Sequence, residues 1–228
     1  MKVYGKKLDI DIGEFFAHIA EGYQFIKGNL SILMPFILLA SIHVAISIIS
    51  VNLPVMAKDI IGISASLGGI VIVIPAGLGA LGAILLIPRF LKKARKKTLI
   101  ERSLILVTAS LWLVIFLVPE FAKGFKIAVS IPLFALAGAS LVGIIIPCQT
   151  FLQEKTPKAL MGRVFGNFWF IATVATIFPV LFSATISELF GVKMLFFLIG
   201  LACLVGYVYS IKKGQSILEE RQVESGNV

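Results

Sequence analysis

The side chains able to do chemistry in this chain are few and scattered. It has two histidines, His18 and His43, and two cysteines, Cys148 and Cys203. No Ser-His-acid set, phosphate-binding loop or metal-ligand spacing gathers them, so no enzyme and no cofactor is expected. Both cysteines fall within apolar runs, where a thiol serves as a small filler. The glycine-rich GLGALG at Gly77–Gly82 has no preceding strand and no Lys, and reads as a surface for close helix approach. Ala135, Ala139 and Gly143, four residues apart, form a similar stripe. His43 is the one ionisable group well inside an apolar run. Two readings of it stand: a proton or substrate contact within a membrane, or a neutral imidazole bonded to nearby backbone or Ser. Asn52, Gln149 and Asn167 lie near the ends of apolar runs, where they gate a pathway or simply meet water.

The elements carrying these groups follow from composition. Apolar residues are 58% of the chain and charged residues 14%, and the mean hydropathy is +1.01. So few charges would not cover a soluble surface. They are also clustered, leaving long stretches without any. The pattern predicts an all-α integral membrane protein with six spans: Leu30–Ser50, Ile63–Pro88, Ile100–Val118, Ile127–Cys148, Val164–Ser187 and Met194–Ile211. Each has about the length needed to cross roughly 30 Å of hydrocarbon, and each must be helical because lipid offers no partner to a bare peptide group. The twelve Leu, Ile, Phe and Val residues of the first span favour insertion by roughly 4–7 kcal/mol. Glu101 and Arg102, costly at a helix centre, are expected at the headgroups. Pro75 and Pro179 each remove a helical hydrogen bond and so are candidate hinges or static kinks.

Residues 30–211 thus form the transmembrane domain, between a tail at 1–29 and a tail at 212–228. Within the first tail, Ile10–Lys27 carries Ile12, Phe15, Phe16, Ile19, Tyr23 and Ile26 at steps of three or four. This is an amphipathic helix lying on a lipid surface or packed on protein. Seventeen of the 21 Lys and Arg residues fall in the two tails and the connections after spans two and four; four fall in the other connections. The positive-inside rule then predicts both termini in the cytoplasm, as six spans require, and a plasma or inner membrane location. The net charge of +9 is therefore a topology signal that also meets anionic lipid headgroups, and no nucleic-acid partner is expected.

The polar insert QEKTPKALMGRVFG, Gln153–Gly166, sits between the fourth and fifth runs. With Gln149 before it, its Gln153-Glu154, Pro157 and Gly162-Arg163-Val164-Phe165-Gly166 resemble the cytoplasmic connection in the second half of a major facilitator superfamily transporter. Within that superfamily the segment resembles the branch of macrolide-efflux and enterobactin-exporter-like permeases. AEGYQFIKGN before the first span resembles the segment leading into that branch's seventh helix. The basic loop Arg89–Lys97 occupies the place of the loop between the eighth and ninth. The resemblance covers about residues 10–211. It departs from the family in having six spans where about twelve are usual, and in lacking the acidic residue often found in the basic loop.

The resemblance implies half of a major facilitator fold with a 3+3 inverted repeat; MPFILLAS (Met34–Ser41) and IPLFALAG (Ile131–Gly138) share Pro, Leu and Ala in register. It implies export of a small amphipathic or apolar compound by alternating access, with spans one and four lining the cavity. His43, Gln149 and Asn167 are then pathway candidates. Because no Asp or Glu lies mid-membrane here, a proton-coupling acid would belong to a second six-helix half, unless two copies pair. Glu154, Pro157, Gly162 and Arg163 are expected to shape and gate the connection: the glycine lets the chain turn, and Arg163 bonds helix-end carbonyls or pairs with a carboxylate such as Glu154. A non-transporting membrane scaffold or regulatory subunit, or a transporter remnant, is the alternative.

Overall fold

The structure, a computed structural model, describes residues 24, 26–93 and 95–224. Most of the expected amphipathic stretch at Ile10–Lys27 lies outside the described residues; Ile26, at its end, is buried in the core. Among the described residues the chain is helical throughout, with six helices long and apolar enough to cross a membrane. Helix α1 is Leu30–Met56, continued by a π-helical stretch Ala57–Ile61. Helix α2 comprises Ala65–Gly68, a π-helical stretch Gly69–Val73, and Ile74–Lys93. Helix α3 is Lys96–Phe116, α4 Lys123–Lys155, α5 Met161–Phe190 and α6 Val192–Glu224.

Every span expected from sequence is present, and most run past the expected ends. Helix α1 continues through Asn52 and Pro54, and α4 through Gln149 and Glu154. Polar residues marked helix ends in the sequence because a bare polar group is costly in lipid. Asn52 and Glu154 are paired here. The Asn52 side-chain amide donates to the Ile48 carbonyl and to Ser183 Oγ of α5, both at 2.9 Å. Pro75 sits two residues past the end of the second π stretch. The wide turn lies where the proline withholds a hydrogen bond, and the two together are a recognised cause of bending.

Two connections turn on glycines in the left-handed region: Gly62 (φ 78°) between α1 and α2, and Gly191 (φ 81°), the single residue between α5 and α6. Side chains other than glycine rarely adopt this conformation.

Packing follows a pattern of exchange. Helix α4 packs most closely on α2 and α3, α3 also on α6, and α1 on α5 and α4. Swapping the first three helices for the last three maps the α2–α4 contact onto α5–α1 and leaves α1–α4 and α3–α6 in place. That is the signature of a 3+3 repeat. The symmetry is imperfect, since α3 leans on α4 far more than α6 leans on α1. The core gathers on α3, whose Leu104, Val107, Leu111, Val114 and Ile115 are buried against residues such as Ile144 of α4 and Phe196 of α6. Backbones come closest between α2 and α4. A Cβ on Gly79 would lie 1.9 Å from the Ala135 carbonyl oxygen, and one on Gly138 would lie 2.0 Å from that of Ala76. Lipid gives packed helices no hydrophobic reward over separate ones, so such small-residue contacts supply the association.

Candidate functional site

Helices α1 and α5 meet along a seam that is aromatic near one end and polar near the other. Phe36 stands edge-on to Phe168 at 5.6 Å and 89°, and His43 meets Trp169 in the same geometry, 5.6 Å and 89°. Further along, Asn52 reaches Ser183, whose hydroxyl donates to the Val180 carbonyl at 2.7 Å. The seam opens between these contacts into a groove of about 390 Å³ lined by His43, Thr173, Thr176, Ile177, Val180 and Leu181. The volume is within the range of small-molecule sites, though the groove is open on one side, where Ile177 and Leu181 are exposed.

The imidazole contact is aromatic. The nearby hydroxyls are used elsewhere: Ser47 donates to the His43 carbonyl at 3.0 Å, and Thr176 to the Ala172 carbonyl at 2.6 Å. These are the usual back-bonds of hydroxyls inside helices. The His43 imidazole lines the groove, and Trp169 flanks it through its contact with that ring.

The other expected pathway residues lie apart from this groove. Asn167 is buried in α5 beside Phe168. Gln149 is half-buried near the end of α4, a helix that packs on α2, α3 and α1. Thr173 and Thr176 were not singled out from sequence. The signal was present in their threefold spacing on the helix that carries Trp169, but it acquires meaning only once α5 is known to pack on α1. Pro179 falls within α5 between Thr176 and Ser183.

The polar connection is shorter than its sequence suggests. Helix α4 runs to Lys155, the turn comprises residues 156–160, and α5 begins at Met161. Thr156 closes α4, its hydroxyl donating to the Leu152 carbonyl at 2.7 Å, and Pro157 follows where no further helical hydrogen bond is needed. Gly162 does not make the turn. It lies in the first turn of α5 without a positive φ and with open space for a side chain. Glu154 accepts both its contacts from Lys96 Nζ of α3, at 2.5 and 2.6 Å. This ion pair ties the connection after α2 to the connection after α4, so the two most basic connections share one end of the bundle.

Six helices long and apolar enough to cross a membrane define a multi-pass membrane protein. A family model, Major Facilitator Superfamily, matches residues 5–179, from the first tail to Pro179 in α5. The chain belongs to that superfamily. No curated protein matches it.

Proposed function

We propose that this chain is a six-helix permease half that moves a small amphipathic or apolar compound by alternating access, with the α1–α5 groove as part of its substrate path. The observation that carries the reading is the groove itself: an imidazole and two threonines beside an apolar wall, in a chain of this superfamily. Such a site takes a guest with a flat apolar body and a hydrogen-bonding group. Transport is outward and proton-coupled, as in the macrolide-efflux and enterobactin-exporter-like branch that the Gln153–Gly166 connection resembles. The coupling acid is supplied by a second six-helix half or a second copy. The membrane is the plasma or inner membrane, with both termini in the cytoplasm.

The test is efflux of fluorescent amphiphiles (ethidium, rhodamine 6G and 1-N-phenylnaphthylamine) from cells making the chain together with its partner half. His43→Ala and the double change Thr173→Val, Thr176→Val are expected to slow efflux of at least one probe about fivefold each, the value of one hydrogen bond of roughly 1 kcal/mol. His43→Gln, which keeps a donor but cannot titrate, separates the two roles: retained efflux with a flattened pH dependence marks a proton relay. Unchanged efflux and unchanged pH dependence in all three variants would refute the site.

A further inference from the structure

We propose that an anionic phospholipid binds the outer face of α3, its headgroup held by Arg95 and Arg102 and its acyl chain lying along Leu106, Leu113 and Leu117.

The argument begins with helix geometry. Seven residues return a helix to within about 20° of its starting direction and about 10 Å further along its axis. Arg102, Leu106 and Leu113 fall along one line of α3, and Arg95 and Leu117, its N-cap and C-cap residues, stand at the two ends of that line. Arg95 and Arg102 are exposed, and the three leucines are each exposed by 41%. The opposite face of α3 holds the buried Leu104, Val107, Leu111 and Ile115. The stripe therefore faces the bilayer, cationic at one end and apolar along the rest.

Among the described residues the carboxylates near this end of α3 that form ion pairs are matched to lysines, Glu154 to Lys96 at 2.5 Å and Glu101 to Lys97 at 3.5 Å. Glu101 also turns inward, with Oε1 buried. Among the described residues neither Arg95 nor Arg102 forms an ion pair. Arg102 lies about 9 Å into the helix, at the depth where a guanidinium must snorkel to headgroups or bring an anion to itself. A lipid phosphate meets that need: its oxygens match the planar fork of Arg, and its chain is the natural cover for the leucines below. The basic connections share this end of the bundle, so the local field also favours an anionic over a zwitterionic headgroup.

The experiment is native mass spectrometry of the full chain in detergent with added palmitoyl-oleoyl phosphatidylglycerol, the matching phosphatidylcholine, or inorganic phosphate. The parent protein is expected to retain phosphatidylglycerol in preference to phosphatidylcholine, and inorganic phosphate is expected not to displace it. Arg95→Gln with Arg102→Gln is expected to lower affinity for the anionic lipid about thirtyfold. Arg89→Gln with Lys158→Gln removes the same charge from exposed positions off the stripe and is expected to change it by less than threefold. Far-ultraviolet circular dichroism checks that both double variants remain helical. If the stripe variant does not fold, the single change Arg102→Lys replaces it, with an expected loss of at least threefold because the fork is gone while the charge stays. Equal retention of the two lipids, displacement by phosphate, or equal losses in the stripe and control variants overturns the proposal.

Discussion

At the scale of single residues, close packing decides which glycines matter. Gly77–Gly82 reads as one small-residue patch, yet only Gly79 meets a neighbour; Gly77 and Gly82 have open space around them. A step of 100° per residue sends the three to different directions, and sequence does not say which direction holds the next helix. The stripe at Ala135, Ala139 and Gly143 was read more nearly right. Ala135 receives Gly79, and Gly143 abuts Ser103 of α3, whose Oγ would lie 2.3 Å from an added Cβ. Gly138, absent from that stripe, makes the reciprocal contact. We expect Gly138→Ala to destabilise the bundle by about 1–3 kcal/mol, since the obstruction is backbone and cannot turn aside. Gly162→Ala should stabilise it by about 0.5–1 kcal/mol through helix propensity alone. Unfolding titrations in mixed micelles would measure both, and a neutral Gly138→Ala would show that α2 and α4 are less closely set.

At the scale of elements, the number and order of helices were legible because lipid forces every apolar run of sufficient length into a helix. Their ends were not, because a polar residue inside a span looks like a boundary until its partner is known. Asn52 is the clear case, with its partner Ser183 lying 131 residues away. The same limit hid the groove: His43 stood out alone, while Thr173 and Thr176 became site residues only through the α1–α5 pairing. A double-mutant cycle of Asn52→Ala and Ser183→Ala is expected to give a coupling of about 0.6 kcal/mol, typical of hydrogen bonds between membrane helices. A coupling indistinguishable from zero would mean the bond adds nothing to the pairing of α1 with α5. Lys96 of α3 engages Glu154, half-exposed, so the contact is a tie between two connections and contributes little to stability.

At the scale of the whole molecule, charge asymmetry and helix count gave the same arrangement independently. The structure adds a contact between the two basic connections, which sets them at one end. Proposing that this end is cytoplasmic leads to a direct measurement. In a background carrying Cys148→Ala and Cys203→Ala, Arg95→Cys is expected to resist a membrane-impermeant maleimide in intact cells and to react after permeabilisation. Lys58→Cys, in the π stretch after α1, is expected to react in both. The reverse pattern would invert the topology. Helix pairing was beyond the sequence for a physical reason: every face of every span is oily, so hydropathy does not distinguish lipid-facing from protein-facing sides. The exposed Phe178, Leu181 and Phe182 of α5 and Leu78, Leu81 and Leu85 of α2 have the same character as the residues that line the core.

Gly191 has a mechanical consequence. With one residue between them, α5 and α6 are yoked at that end of the bundle and cannot slide past each other or tilt separately there. Consecutive α4 and α5 are joined by a five-residue turn and both lean on α1. Any shift of α5 at the Gly191 end of the bundle must drag the adjoining end of α6 along.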